Sequence, residues 1–90
     1  MFTETYKGQR IVVSDAAMRE LAKEGKTLYD VVEILEEGRD APRKRKAGTI
    51  EKWLDKGKKT PNAVIVKDYH ELTKEECWVL IHLGNSRRGN

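Results

Sequence analysis

The chain has 90 residues, a formal net charge of +3 and 37% charged residues. This length supports one modest hydrophobic core, which excludes a two-domain protein. The single cysteine, Cys77, excludes an intrachain disulfide, and no apolar run approaches the roughly 18 residues of a membrane span. Since the first ten residues also lack the apolar run of a signal peptide, we expect a cytoplasmic protein that does not enter a membrane.

Positive charge is concentrated in the middle of the chain. The segment from Arg39 to Lys59 holds nine Lys/Arg and three Asp/Glu, whereas the remainder holds nine basic and twelve acidic residues. We therefore expect one end of the molecule to be positive and another to be negative.

The first half of the chain predicts a strand and a short helix. Residues 1–8 are expected to form a flexible amino terminus, followed by a strand over Gln9–Val13. Ser14 is a typical helix N-cap, and Gly25 can end the helix in a left-handed conformation. The apolar stripe that should carry this helix consists of Met18, Leu21 and Ala22.

A second helix is predicted more clearly. Thr27 and Asp30 have the spacing of a capping box, and Gly38 terminates the pattern. Its continuous apolar face consists of Leu28, Val31, Val32 and Leu35.

A cationic loop follows this helix. The segment Arg39–Gly48 contains Pro42 and a run of four cations, and we expect it to be a mobile loop. Four adjacent cations repel one another unless an anion compensates, which favours a phosphate partner. A solvated charged loop is the alternative explanation. The run consists of Arg43, Lys44, Arg45 and Lys46.

The second half predicts three strands. Thr49–Leu54 favours a strand that turns at Lys56–Lys59 into the β-branched and aromatic stretch Asn62–Gly84, which contains two further strands. In the last strand, alternation predicts one core-facing set and one partly open set. The core-facing set is Cys77, Val79, Ile81 and Leu83, and the partly open set is Trp78, Leu80 and His82.

His82 is the most informative titratable side chain. Its imidazole can act as a general acid or base near neutral pH, although a half-buried structural histidine is the commoner case. Two histidines and one cysteine do not approach a zinc signature, so we expect neither a metal nor another cofactor. Trp53 and Trp78 are open to two interpretations, as base-stacking surfaces or as core anchors.

Three stretches resemble the RelE/ParE superfamily of small toxins, including its BrnT-like branch. They are Ile11–Ala17 followed by Leu21, Gly25–Gly38, and Val79–Arg88. The order of elements that the sequence predicts, one strand, two helices and a three-stranded antiparallel meander, is similar to the α+β fold of this superfamily. We expect a single domain over residues 9–84 and a basic flexible tail over 85–90. The resemblance also implies metal-independent RNA cleavage on a basic sheet face, with a protein partner of the antitoxin kind.

Two hypotheses follow from these features. The first is a nucleic-acid-binding domain that contacts the phosphate backbone of RNA or DNA, with a possible metal-independent endoribonuclease activity. In this hypothesis His82, Arg87 and Arg88 are the candidate catalytic residues. The candidate phosphate-binding residues are Arg43, Lys44, Arg45, Lys46, Lys58 and Lys59. The second hypothesis is a non-enzymatic protein-interaction module of a two-component complex.

Overall fold

The structure, a computed structural model, describes residues 5–42, 46–57, 59–72 and 74–86. These residues form two helices and six strands, which confirms the α+β class. The elements are β1 (Thr5–Tyr6), β2 (Gln9–Val13), α1 (Asp15–Glu24), α2 (Leu28–Glu37), β3 (Arg39–Asp40), β4 (Thr49–Trp53), β5 (Thr60–His70) and β6 (Glu75–Ser86).

The six strands of the described chain form one mixed sheet in the order β1-β2-β6-β5-β4-β3. Its β4, β5 and β6 are consecutive and antiparallel, but β6 also pairs in parallel with β2, with Ile11 opposite Trp78. The expected three-stranded meander is therefore wrong as a description of the sheet. Periodicity identifies strands, whereas the pairing of β2 with β6 depends on how the two helices return the chain across the sheet.

Two segments expected to be irregular contribute short strands at the sheet edges. Thr5–Tyr6 pairs with Arg10 and Gln9, although residues 1–8 were predicted to be flexible. Tyr6 is buried there because its ring packs beside that of Trp78, with 6.0 Å between ring centroids. Similarly, Arg39–Asp40 lies at the start of the predicted mobile loop but pairs with β4.

Both helices begin as their sequences predict. The Ser14 hydroxyl accepts a hydrogen bond from the Ala17 N–H at 3.1 Å, and α1 ends at Gly25 with a φ of 66°. At the start of α2, the Asp30 carboxylate accepts from the Thr27 N–H at 2.8 Å, which is the reach-back bond of a capping box. Local capping thus fixes where each helix starts.

One hydrophobic core lies between the helices and one face of the sheet. Helix α1 contributes Ala17 and Leu21 to it, whereas the predicted core residue Met18 is 56% exposed. Helix α2 and the sheet supply most of the remaining volume. The buried cluster consists of Tyr6, Ile11, Ala17, Leu21, Val31, Ile34, Leu35, Ala63, Ile65, Trp78, Leu80 and Leu83.

A β-bulge in β6 reverses much of the predicted face assignment. Ile65 pairs with Leu80 and Val64 pairs with His82, so Ile81 is an extra residue between two rungs of the ladder. Trp78 and Leu80 face the core before the bulge, and Leu83 faces it afterwards. Ile81, predicted to face the core, is 40% exposed, whereas Leu80, predicted to be partly open, is fully buried.

Candidate functional site on the second face of the sheet

The sheet has a second face, opposite the helices, that carries polar side chains. Residues paired across antiparallel strands lie on the same face of the sheet. The row that contains Ile65 faces the core, and the alternate residues along each strand face the opposite side. Two rows on that opposite side cross β4, β5 and β6 side by side. They are Glu51–Val64–His82 and Trp53–Asn62–Gly84.

His82 stands where α1 replaces a strand beside β6. Strand β2 ends at Val13, and the Ser14 N–H donates to the Leu80 carbonyl as α1 begins. Farther along β6, the carboxylate of Glu20 bridges two groups. Its Oε1 accepts from the Leu83 N–H at 2.9 Å, and its Oε2 lies 3.0 Å from Nδ1 of His82. The backbone contact therefore anchors a carboxylate against one nitrogen of the imidazole.

The other nitrogen of His82 points over Gly84. A Cβ atom placed on Gly84 would stand 3.1 Å from Nε2 of His82 and 3.4 Å from Oδ1 of Asn62. The side chain of His82 is 45% exposed and that of Glu20 is 33% exposed. The imidazole and the Asn62 amide thus pack closely over Gly84, which has no side chain, while the exposed part of the imidazole reaches solvent.

A second polar network adjoins Gly84 through Asn62. Glu51 is only 5% exposed and accepts from Nε1 of Trp53 at 2.7 Å and from Nδ2 of Asn62 at 3.4 Å. The guanidinium of Arg39 lies 5.4 Å from the centre of the Trp53 ring. Since Asn62 belongs to this network and also borders Gly84, it joins the Trp53 side of the second face to the His82 side.

The arrangement around His82 is suited to proton transfer. A carboxylate can only accept a hydrogen bond, so the neutral imidazole donates through Nδ1–H and keeps a lone pair on Nε2. Such an Nε2 can take a proton from a bound hydroxyl and return it in a later step.

The predicted cations fall into two groups. Arg43, Lys44, Arg45, Lys58, Arg87 and Arg88 lie outside the described residues. Lys46 and Lys59 are described and exposed, but they flank opposite ends of β4. Their backbones are separated by roughly 16 Å, the length of a five-residue strand, so these two residues do not form one cluster.

The two tryptophans have different roles in the structure. Trp78 is 6% exposed and donates from Nε1 to the Tyr6 carbonyl, so it is a core anchor. Trp53 is partly buried on the second face, in the same row across the sheet as Gly84. Of the two aromatic residues predicted as possible stacking surfaces, only Trp53 lies on the face that carries His82.

Cys77, predicted to face the core, lies instead on the second face, where it is buried. Desolvation raises the pKa of its thiol, and the neighbouring Asp68 carboxylate raises it further. A raised pKa lowers the thiolate fraction at neutral pH, which disfavours nucleophilic chemistry at this position.

Sequence reasoning missed three residues of this site, Glu51, Asn62 and Glu20. Glu51 and Trp53 alternate on one strand, and this spacing could have indicated a shared face. Asn62 lies in the stretch predicted to form strands, but its side chain gave no signal of its own. Glu20 resembles the other acids of α1, and only the parallel pairing of β2 with β6 brings it to His82.

Comparison with known proteins leaves the site to be interpreted from its own geometry. Within the described ranges, no group of three or more His, Cys, Asp or Glu side chains could hold a metal ion. Neither helix in this part of the chain is long and apolar enough to cross a membrane. No protein-family model, curated protein or solved structure matches the chain.

Proposed function

We propose that this protein binds single-stranded RNA on the second face of the sheet and cleaves it without a metal, with His82 as the acid–base residue. The observation that carries this proposal is the contact of 3.0 Å between Glu20 and Nδ1 of His82, which leaves Nε2 directed over Gly84. The resemblance of three stretches of the sequence to the RelE/ParE superfamily favours the same reaction class.

The reaction needs no group beyond the RNA and the imidazole. Nε2 of His82 removes the proton from a ribose 2′-hydroxyl, and the 2′-oxygen attacks the adjacent phosphorus atom. The bond from phosphorus to the 5′-oxygen breaks, and that oxygen takes up the proton that Nε2 removed. The products are one strand that ends in a 2′,3′-cyclic phosphate and one that begins with a 5′-hydroxyl. Because the 2′-oxygen is the nucleophile, DNA cannot react in this way.

Two further features support binding of a single strand. Trp53 offers an aromatic surface on the same face, and aromatic side chains stack on bases with little sequence preference. The segment from Arg39 to Lys59 provides an excess of six positive charges for phosphate groups. In this proposal Arg43, Lys44, Arg45, Lys46, Lys58 and Lys59 bind the backbone, with Arg87 and Arg88 near the scissile phosphate.

The decisive experiment measures cleavage and binding with the same labelled RNA. His82→Gln should reduce cleavage by about 10²–10⁴-fold, the usual contribution of general acid–base catalysis, while binding stays unchanged. His70→Gln is the matched control, because it alters the other histidine of the chain. Wild-type cleavage of an all-2′-deoxy strand, or full activity of His82→Gln, would contradict the proposed mechanism.

Fluorescence anisotropy across a salt series tests the cationic run in the same experiment. Each phosphate contact that is lost should flatten the slope of log K against log salt by about 0.7. Lys44→Gln with Arg45→Gln should show this flattening. The charge-matched pair Arg19→Gln with Lys23→Gln, on α1, should not. Equal effects of the two pairs would mean that only net charge matters and that the run is not the binding site.

A protein-interaction module is the second candidate function, and an apolar groove favours it. The groove has a volume of about 380 Å³ and lies between α1 and the start of α2, where Met18, Leu21 and Leu28 line it. An antitoxin-like partner protein with an apolar side chain at its surface would fit there. Absence of RNA binding at low salt, together with a partner that co-purifies and dissociates on Met18→Glu, would favour this function over the first.

A further inference from the structure

The bridging carboxylate of Glu20 has a consequence for which nitrogen of His82 carries a proton. We infer that Glu20 is a positioning residue that holds neutral His82 in the Nδ1–H tautomer, so that Nε2 is the basic nitrogen. This inference rests on the proposed function for its catalytic meaning. The tautomer itself is a property of the free protein and can be measured without RNA.

The argument begins with the backbone. The Leu83 N–H is a fixed donor on β6, and it holds Oε1 of Glu20 at 2.9 Å. That bond orients the carboxylate so that Oε2 meets Nδ1 of His82 at 3.0 Å. Neutral imidazole has one N–H group, and an acceptor at Nδ1 places the proton there. The opposite tautomer would set the Nδ1 lone pair against a carboxylate oxygen.

The Nδ1–H tautomer has a use in the proposed reaction. Nε2 of His82 lies close to Gly84, and the side chain of His82 is 45% exposed. With a proton on Nε2, the imidazole could not accept one from a ribose hydroxyl. The Nδ1–H tautomer is therefore the form in which His82 can begin the proposed reaction as a base.

The substitution Glu20→Gln tests this arrangement because it changes one acceptor into a donor with little change of shape. The glutamine Oε1 can still accept from the Leu83 N–H. Its amide nitrogen then faces Nδ1 of His82 and donates to it, which places the imidazole proton on Nε2. The reverse orientation of the amide would set two donors, the amide and the Leu83 N–H, against each other.

Nitrogen-15 NMR of the two imidazoles reads the tautomer directly at a pH where His82 is neutral. In the wild type, Nδ1 of His82 should resonate as a protonated nitrogen and Nε2 as an unprotonated one. Glu20→Gln should exchange the two signals, and loss of both signals in His82→Gln assigns them. Glu24→Gln is the matched control one turn along α1, since Glu24 accepts from Asn85 at 2.8 Å and not from His82. It should leave the signals unchanged.

Cleavage by the same variants separates this inference from the proposed function. If both hold, Glu20→Gln should lower kcat by about a hundredfold or more, with a smaller change in KM. An Nε2–H tautomer in the wild type, or one unaltered by Glu20→Gln, would overturn the role of Glu20 even if the protein cleaves RNA. The wild-type spectrum decides the point even if Glu20→Gln fails to fold. The expected tautomers without any RNA cleavage would support the role of Glu20 in fixing the tautomer and overturn the proposed function.

Discussion

The two halves of β6 differ in how they are held. Before the bulge, β6 lies between two strands, with Trp78 paired to Ile11 on one side and to Lys67 on the other. After the bulge, β5 still lines one edge, but α1 lines the other through the carboxylates of Glu20 and Glu24. Backbone hydrogen bonds hold the first half of β6 along both edges. In the second half, side chains of α1 take the place of the backbone hydrogen bonds along one edge.

This difference explains where a reactive group can stand. A regular strand between two others commits its backbone to the ladder and its apolar side chains to the core. Where a helix replaces one neighbouring strand, an acidic side chain of the helix can contact both a backbone N–H of the remaining strand and a neighbouring imidazole. The candidate site therefore lies at the transition from one half of β6 to the other.

The largest expected effect tests the bulge that divides the halves. Leu80→Ala should reduce the free energy of unfolding by about 2–5 kcal/mol, because it leaves a cavity in the core. Ile81→Ala, at the bulge, should cost less than about 1 kcal/mol, because Ile81 is 40% exposed. Urea denaturation monitored by tryptophan fluorescence measures both. Equal losses of stability, or a larger loss for Ile81→Ala, would mean that side chains alternate regularly along β6 and that no bulge divides its two halves.

An intermediate effect is expected at Cys77, which represents the closed half on the second face. Because burial raises the pKa of the thiol and shields it, a thiol reagent should label native protein about tenfold or more slowly than urea-denatured protein. The rate should rise with pH as thiolate forms, and it should do so at higher pH than for an unfolded chain. Equal labelling rates for native and denatured protein would mean that this half is as open as the half that carries His82.

The smallest effect on stability, with a larger one on activity, is expected at Gly84. Ala is compatible with the backbone here, since the φ of Gly84 is not positive, but its Cβ would press on the imidazole of His82. Gly84→Ala should change the free energy of unfolding by less than about 1 kcal/mol, because a side-chain end can move aside. Displacement of His82 should lower RNA cleavage by about tenfold.

A contrast with Gly38 sharpens this prediction. A Cβ on Gly38 would overlap the Ile34 carbonyl oxygen and would stand 2.8 Å from that of Trp53, and backbone atoms cannot move aside cheaply. Gly38→Ala should therefore cost about 1–3 kcal/mol. If Gly84→Ala destabilised the protein as much as Gly38→Ala, Gly84 would be required for packing of the fold and not for the position of the His82 imidazole.

The sequence was most informative where structure depends on neighbours along the chain. Ser14, Gly25 and the Thr27–Asp30 pair marked helix ends because capping is local. Strands β2, β4, β5 and β6 were recognisable from β-branched and aromatic residues. The α+β class followed from these elements.

The remainder depends on contacts between distant residues. One extra residue at Ile81 reversed the predicted faces of Trp78 and Leu80, and alternation along a strand contains no sign of such a bulge. His82 was identified from its chemistry alone. Its partner Glu20 is 62 positions away and is brought near by the parallel pairing of β2 with β6, which single-strand patterns do not encode.

That parallel pairing also bears on how the chain reaches its native state. Strand β2 is synthesised well before β6, its inner neighbour in the sheet. The hydrogen bond from Trp78 to Tyr6 closes a separation of 72 positions. Contacts of such high sequence separation slow folding, because chain entropy is lost before they form. While β6 is still inside the ribosome, Ile11 and Leu21 lack most of their core, and the nascent chain offers an apolar surface to chaperones.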